Sequence, residues 1–447
     1  MPCVEEIVCC PGLTGFFFDD QRAIKAGASA DGFLYRGDPI TPGFSAIRQA
    51  GECISILLRL SDGRWASGDC CTIQYPGAGG RDGVFRAETH LPLIEELVAP
   101  LLRGRAVDTF RPTAELLDNL RHEDRPLHSA IRYGASQAWL DAVARATHQL
   151  PCQVLAQEYD LQLQPEPVRI FAQSGDDRYG NVDKMILKQV DVLPHGLIND
   201  IPHKLGPDGG RLLEYVRWVR QRILSTRPSP HYHPELHIDV YGTIGLIFRD
   251  DIPAMASYLA RLGQAAEPFT LRIEGPVDMG ERLPQYRTLR ALRERLRAEE
   301  IPVEIVADEW CNGMDDIRSL AEMEAVDMVQ IKAPVLGGLT NAVEAVLYCR
   351  KHGLKAYLGG SCNETEVSAR LSVHVALATR PHQMLAKPGM GMDEGLMLVT
   401  NEMRRALAVL RAQAEPGGDP RPRPHTETAV RAPVTGSGKP RRQGADP

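Results

Sequence analysis

The sequence predicts an α/β protein in which a β/α barrel follows an N-terminal α+β capping domain. Two observations carry this. From about Val168 onward, short apolar strand-like runs alternate with stretches whose apolar residues recur every three or four positions. Eight such runs occur, the number that closes a parallel barrel. They are Val168–Gln173, Met185–Gln189, Leu236–Val240, Thr270–Glu274, Val303–Asp308, Met328–Lys332, Lys355–Gly359 and Gln383–Lys387. Before about residue 160 the alternation is missing, and this marks off a separate unit.

Taken in order, residues 1–160 form the capping domain. Cys53–Leu60 is a strand, Ser61-Asp62-Gly63 a turn and Trp65–Cys70 a returning strand, so the three make a hairpin. Helical stretches follow near Leu91–Leu102 and Ser136–Ala146, and Leu13–Asp20 reads as a loop that helps to exclude water. Residues 161–411 form the barrel. Leu212, Val216, Val219 and Ile223 make one helical stripe; Tyr286, Leu289, Leu292 and Leu296 a second; Val343, Val346 and Leu347 a third. Only 11 residues separate the first two candidate strands, which is tight for a crossover. Residues 412–447 are rich in Pro, Gly and Arg with almost no large apolar side chains, the composition of a disordered tail.

Composition narrows the function classes. A net charge of −7 leaves no electrostatic footprint for nucleic acid, and no apolar run reaches the length of a membrane span. Met1–Glu6 lacks the basic region of a secretory signal. The ten cysteines include no C-x-x-C pair, so they read as small buried thiols in a reducing cytoplasm.

The chemistry lies at strand ends. Asp239, Glu274, Asp308 and Lys332 each close an apolar run, at successive spacings of 35, 34 and 24 residues. One strand plus its crossover takes about 30 residues, so the four charges belong to consecutive barrel units. A parallel barrel gathers its strand C-termini on one rim. An acid at one strand end is as often solvated as functional; three in consecutive units with a lysine are a site. Three carboxylates are hard oxygen donors that select Mg²⁺, or Mn²⁺, over zinc. Lys332 beside them acts as a base, and a neighbouring dication and burial both favour the free amine such a base needs. Metal and lysine together suit removal of a proton α to a carboxylate, with the enediolate stabilised by the ion.

His195 follows the second run and becomes an acid/base on the face opposite Lys332. A lone histidine is more often structural, and only the barrel reverses that weighting. His231, His233 and His237 resemble a metal cluster but precede a strand, and are assigned to structure. Gln173 ends the first run, and Gln330 shares the face of Lys332 by strand alternation. Gly359-Gly360-Ser361-Cys362 permits close backbone approach to a carboxylate. Gly77–Arg81 is glycine-rich but lacks the G-K-[ST] of a phosphate loop, and reads as a plain loop.

Longer motifs carry a resemblance. Phe171-Ala172-Gln173-Ser174-Gly175-Asp176-Asp177-Arg178-Tyr179, His237 to Gly245, Ile273-Glu274-Gly275-Pro276, Ala307-Asp308-Glu309-Trp310-Cys311-Asn312 and Ala386-Lys387-Pro388-Gly389-Met390-Gly391 are similar to those of the 3-methylaspartate ammonia-lyases (methylaspartases) of the enolase superfamily. The likeness runs from Pro11 to about Arg411. It implies an enolase-like, TIM-type barrel and reversible elimination of ammonia from L-threo-3-methylaspartate to give mesaconate, a step of amino-acid degradation. It further implies Asp239, Glu274 and Asp308 as Mg²⁺ ligands and Lys332 as the base at C3. His195 would act on the other face, with the erythro diastereomer. Gln173, Gln330, Ser361 and Cys362 would touch substrate, while Phe171, Tyr357, Leu385 and Met390 would shape the pocket. A homodimer and a monovalent cation such as K⁺ are implied as well. At Ser361 the family pattern has threonine: the hydroxyl is kept and a methyl lost. The residues alone leave open a sister reaction on the same barrel (epimerase, cycloisomerase or dehydratase). A non-catalytic metal scaffold would have no need of the lysine.

Overall fold

The computed structural model describes residues 1–414. Its N-terminal part is built on a three-stranded antiparallel sheet of Val4–Asp19, Arg48–Leu60 and Trp65–Cys70. The expected hairpin is two of these strands, with Ile54 opposite Cys70 and Arg59 opposite Trp65. Leu13–Asp20, expected as a loop, is instead mostly the end of the first strand, with Phe17 paired to Ala50 and Asp19 to Arg48. A register shift between Leu13 and Phe17 breaks the period of two that would have revealed it. The helix Ser129–Ala146 begins earlier than Ser136 and crosses this sheet at backbone contact. A Cβ on Gly68 would stand 2.2 Å from the amide nitrogen of Ala138, and one on Gly134 2.4 Å from that of Cys70. Ala87–Leu102 is helical as expected, with a π-helical turn over Ile94–Val98.

Eight parallel strands then close into a barrel in chain order. They are Ile170–Phe171, Val192–His195, Glu235–Asp239, Leu271–Glu274, Val303–Ala307, Met328–Ile331, Lys355–Leu358 and Gln383–Leu385. The last pairs with the first through Leu385 and Phe171. One expected strand is corrected. Met185–Leu187 belongs to the helix Gly180–Leu187, whose Val182, Met185 and Ile186 recur at helical spacing and are buried. The second strand is Val192–His195, so the crossover that looked too tight has room for a helix. Pro194 inside that strand, lacking an N–H, obscured it.

The outer helices bury the expected stripes. Leu212, Val216, Val219 and Ile223 face the core from Gly210–Thr226, and Tyr286, Leu289, Leu292 and Leu296 from Arg282–Ala298. Val343 and Val346 do the same, while Leu347 is only partly buried. The last helix, Asp393–Ala414, continues past 412. The rest of the expected tail, from 415 on, lies outside the described residues. All ten cysteines are free; seven are buried, Cys3 and Cys9 half-buried, and Cys10 exposed, so the expected burial fails for the three in the first strand region. No described helix is long and apolar enough to cross a membrane.

Candidate active site

Asp239 and Glu274 are the final residues of adjacent strands and lie in register with each other. Glu274 in turn pairs with Val306, and Asp308, two residues beyond Val306, falls on the same inward face. The three side chains are buried and offer carboxylate oxygens that all lie within 4.8 Å of one another. Burial first, then the charge of Asp308, pushes the Asp239 carboxyl well above its ordinary range. Burial, Asp239 and Asp308 do the same to Glu274. Glu274 Oε2 is 2.8 Å from His237 Nε2, while its Oε1 has no partner. Three crowded carboxylates, one with a free oxygen, fit a hard dication, and an oxygen-only donor set suits Mg²⁺.

Lys332 lies one residue beyond its strand and forms an ion pair with Asp308. His195 ends the second strand, and the strand leading to Lys332 is the sixth, so the two stand across an eight-stranded barrel. His195 holds a left-handed backbone (φ 68°), with its Nε2 3.5 Å from Asp239 Oδ2 and its Nδ1 unpartnered. Burial, then the charge of Lys204, brings its imidazole down to about 3, so it is neutral near pH 7.

A cavity of about 70 Å³ joins most of the expected residues. Gln173, His195, Asp239, Asp308, Gln330, Lys332, Tyr357, Ser361, Cys362 and Leu385 line it. Three others do not. Glu274 is fully buried, less exposed than either of the other two carboxylates. Phe171 is also fully buried, its ring 5.9 Å from that of His195 and 5.4 Å from that of Tyr357. Met390 sits half-buried in the loop after the last strand, its carbonyl beside Gly175.

Ile73, Gln74 and Tyr75 complete the wall from the N-terminal part without having been singled out in the sequence. Arg81, from the loop read as plain, reaches it too, as do Tyr241, Glu309 and Gly360 from the barrel, the last from the glycine pair expected to approach a carboxylate. Gln74 donates from Nε2 to Asp19 at 2.8 Å and accepts a weak bond from Cys362 Sγ at 3.7 Å. The Gly77–Arg81 loop, expected to be incidental, covers the mouth: Asn312 donates to the Gly79 carbonyl at 2.6 Å, and Arg81 pairs with Glu309. Burial raises the Glu309 carboxyl, but the charges of Arg81 and Lys332 outweigh it and hold it at about 2. Only the position of Glu309 next to Asp308 signalled any of this. Asp239, Tyr241, Asp308 and Glu309 also line a second, outer chamber of about 270 Å³ beneath Arg22 and Lys25.

A closed β/α barrel with three convergent carboxylates and a lysine on its C-terminal rim defines an enolase-like barrel enzyme. The muconate lactonizing enzyme of Pseudomonas putida shares the fold, with a TM-score of 0.55 over 84% of each chain at 18% identity. The family is narrower than the fold. Residues 3–160 match the family description "Methylaspartate ammonia-lyase N-terminus", and residues 162–412 match "Methylaspartate ammonia-lyase C-terminus". The chain belongs to the methylaspartate ammonia-lyase family. It is 55% identical to the methylaspartate ammonia-lyase of Citrobacter amalonaticus, covering 92% of this chain and 99% of that one. The crystal structure of that relative containing (2S,3S)-3-methylaspartic acid superimposes with a TM-score of 0.90 over 92% of this chain and all of that one. The Mg complex of β-methylaspartase from Clostridium tetanomorphum, 51% identical, gives a TM-score of 0.88 over the same shares.

Proposed function

We propose that the chain is a Mg²⁺-dependent ammonia-lyase that reversibly removes ammonia from L-threo-3-methylaspartate to give mesaconate. The buried cluster of Asp239, Glu274 and Asp308, with Lys332 paired to one member, is the observation that carries this reading. Those three carboxylates would hold the ion, which when bound supplies positive charge against the substrate carboxylate next to the reacting carbon.

The remaining steps fall to the chain. Lys332 Nζ, unprotonated when it acts, takes the proton from C3, and its contact with Asp308 places that nitrogen at the rim. The C–H electron pair moves toward the adjoining carboxylate and returns as the C2–C3 double bond when the C2–N bond breaks. The amino group, bound as its ammonium, leaves with the bonding pair as neutral ammonia. His195 does the corresponding work on the opposite face, for the erythro diastereomer. Gln173, Gln330, Ser361 and Cys362 orient the substrate; Phe171, Tyr357, Leu385 and Met390 shape the space around its methyl and amino groups. Residues 1–160 act as a cap on a barrel of residues 161–411. The reading extends to a homodimer in the cytoplasm, where ten free thiols stay reduced.

Formation of mesaconate, followed by its ultraviolet absorbance, tests this. Lys332→Ala is expected to lower the rate by ~10²-fold or more, as loss of a general base does. EDTA should abolish activity and Mg²⁺ restore it. A Lys332→Ala enzyme as fast as the wild type would overturn the assignment. Turnover of another carboxylate substrate, with none of methylaspartate, would select the sister reaction.

A further inference from the structure

We propose that His237 is a positioning residue for Glu274, and that Arg272, acting through Gln383, decides which ring nitrogen of His237 carries the proton. The proposal rests on Glu274 being a metal ligand.

His237 stands two residues before Asp239 on one strand, so the two share the inward face. Its ring is fully buried and stacks on Phe171, with centroids 4.4 Å apart and planes 17° from parallel. Both nitrogens are engaged: Nε2 lies 2.8 Å from Glu274 Oε2, and Nδ1 2.9 Å from Gln383 Nε2. A neutral imidazole has one donor and one acceptor nitrogen, and these contacts alone do not say which is which.

The barrel floor settles it. Arg272 is 1% exposed; its guanidinium pairs with Glu235 at 2.5 Å and Glu304 at 2.7 Å, and its Nη1 lies 3.4 Å from Gln383 Oε1. A guanidinium only donates, so the Gln383 amide must turn its oxygen toward it. The amide NH₂ then faces His237, and Nδ1 must accept. The proton is left on Nε2, which donates to Glu274. One carboxylate oxygen is thereby fixed, and the other, Oε1, is left for the ion. A fixed charge at the floor thus orients a ligand at the mouth through two neutral side chains.

A packing role would differ. Were His237 only a filler between Phe171 and Tyr357, leucine would replace it without affecting metal binding. Partners of this kind typically contribute 10–100-fold in metal affinity. Isothermal titration of the metal-free protein with Mg²⁺ reads this directly, without turnover. His237→Leu is expected to weaken binding about tenfold or more, and Gln383→Met at least threefold. In the wild-type protein, nitrogen NMR after histidine labelling should show His237 protonated at Nε2 and bare at Nδ1.

Binding by folded His237→Leu within threefold of wild type would overturn the proposal, as would a wild-type ring protonated at Nδ1. If His237→Leu does not fold, Gln383→Met and the wild-type spectrum decide by the same criteria. Glu274→Gln separates the two readings. If it binds Mg²⁺ as well as wild type, the metal assignment itself fails. If it binds weakly while His237→Leu binds normally, only the present inference fails.

Discussion

Arg81 brings a fixed positive charge from the N-terminal part to Glu309, the neighbour of Asp308. Its side chain is 3% exposed and that of Glu309 25%, so removing the guanidinium strands a carboxylate in a poorly solvated place. Arg81→Met is expected to cost about 3 kcal/mol in chemical denaturation, near the lower bound for breaking a buried pair because Glu309 keeps some water. Legibility at this scale followed locality. Asp239, Glu274, Asp308 and Lys332 were visible because each closes its own apolar run. Gln74, Tyr75 and Arg81 were not, because nothing near them in the chain says that they arrive at a barrel mouth. His237 was visible as a histidine, but its importance depends on Gln383 and Arg272, which lie on two other strands.

Between elements, period and length carried most of the reading and failed where they conflict. Met185–Leu187 is an apolar run too short to show its period, and only its spacing from Val182 makes it helical. The bulged first strand failed for a similar reason. Helices between the strands were legible as a class, but not the polar link between Glu366–Thr379 and Asp393–Ala414. Glu402 accepts there from His374 at 3.1 Å, Arg370 at 3.2 Å and Arg405 at 2.7 Å. Burial raises its carboxyl, but these donors outweigh that and lower it from 4.5 to about 2. A folded-state value below the unfolded one stabilises at higher pH: the contribution is full above pH 4.5 and is lost as pH falls toward about 2. Glu402→Gln should therefore unfold at lower denaturant than wild type at neutral pH. The gap should narrow as the pH drops below 4.5.

At the scale of the molecule, the eight-strand count predicted the barrel, but no sequence pattern predicted how the N-terminal part is fastened to it. The fastening is polar. Tyr133 donates to Glu364 at 2.8 Å across 231 residues of chain, and Glu364 pairs with Lys387 at 2.7 Å with both side chains 0% exposed. Lys387→Met leaves the Glu364 charge buried without a counter-ion, and is expected to cost about 3–5 kcal/mol in denaturant titrations. Adding Glu364→Gln should recover part of that loss, so the pair will cost less than the sum of its parts. The backbone contact at Gly68 and Gly134 has a mechanical consequence. With no side chain at Gly68 or Gly134 to cushion the sheet from the helix, the N-terminal part has little internal give there and is expected to move as one piece. Any displacement that admits a substrate must be taken up along the seam, at Gly15 to Glu364, Phe17 to Asn363 and Arg81 to Glu309. Those anchors adjoin Asp308, Ser361 and Cys362. Parting the seam therefore disturbs the walls of the cavity itself, which ties the moment of assembly to the moment of closure.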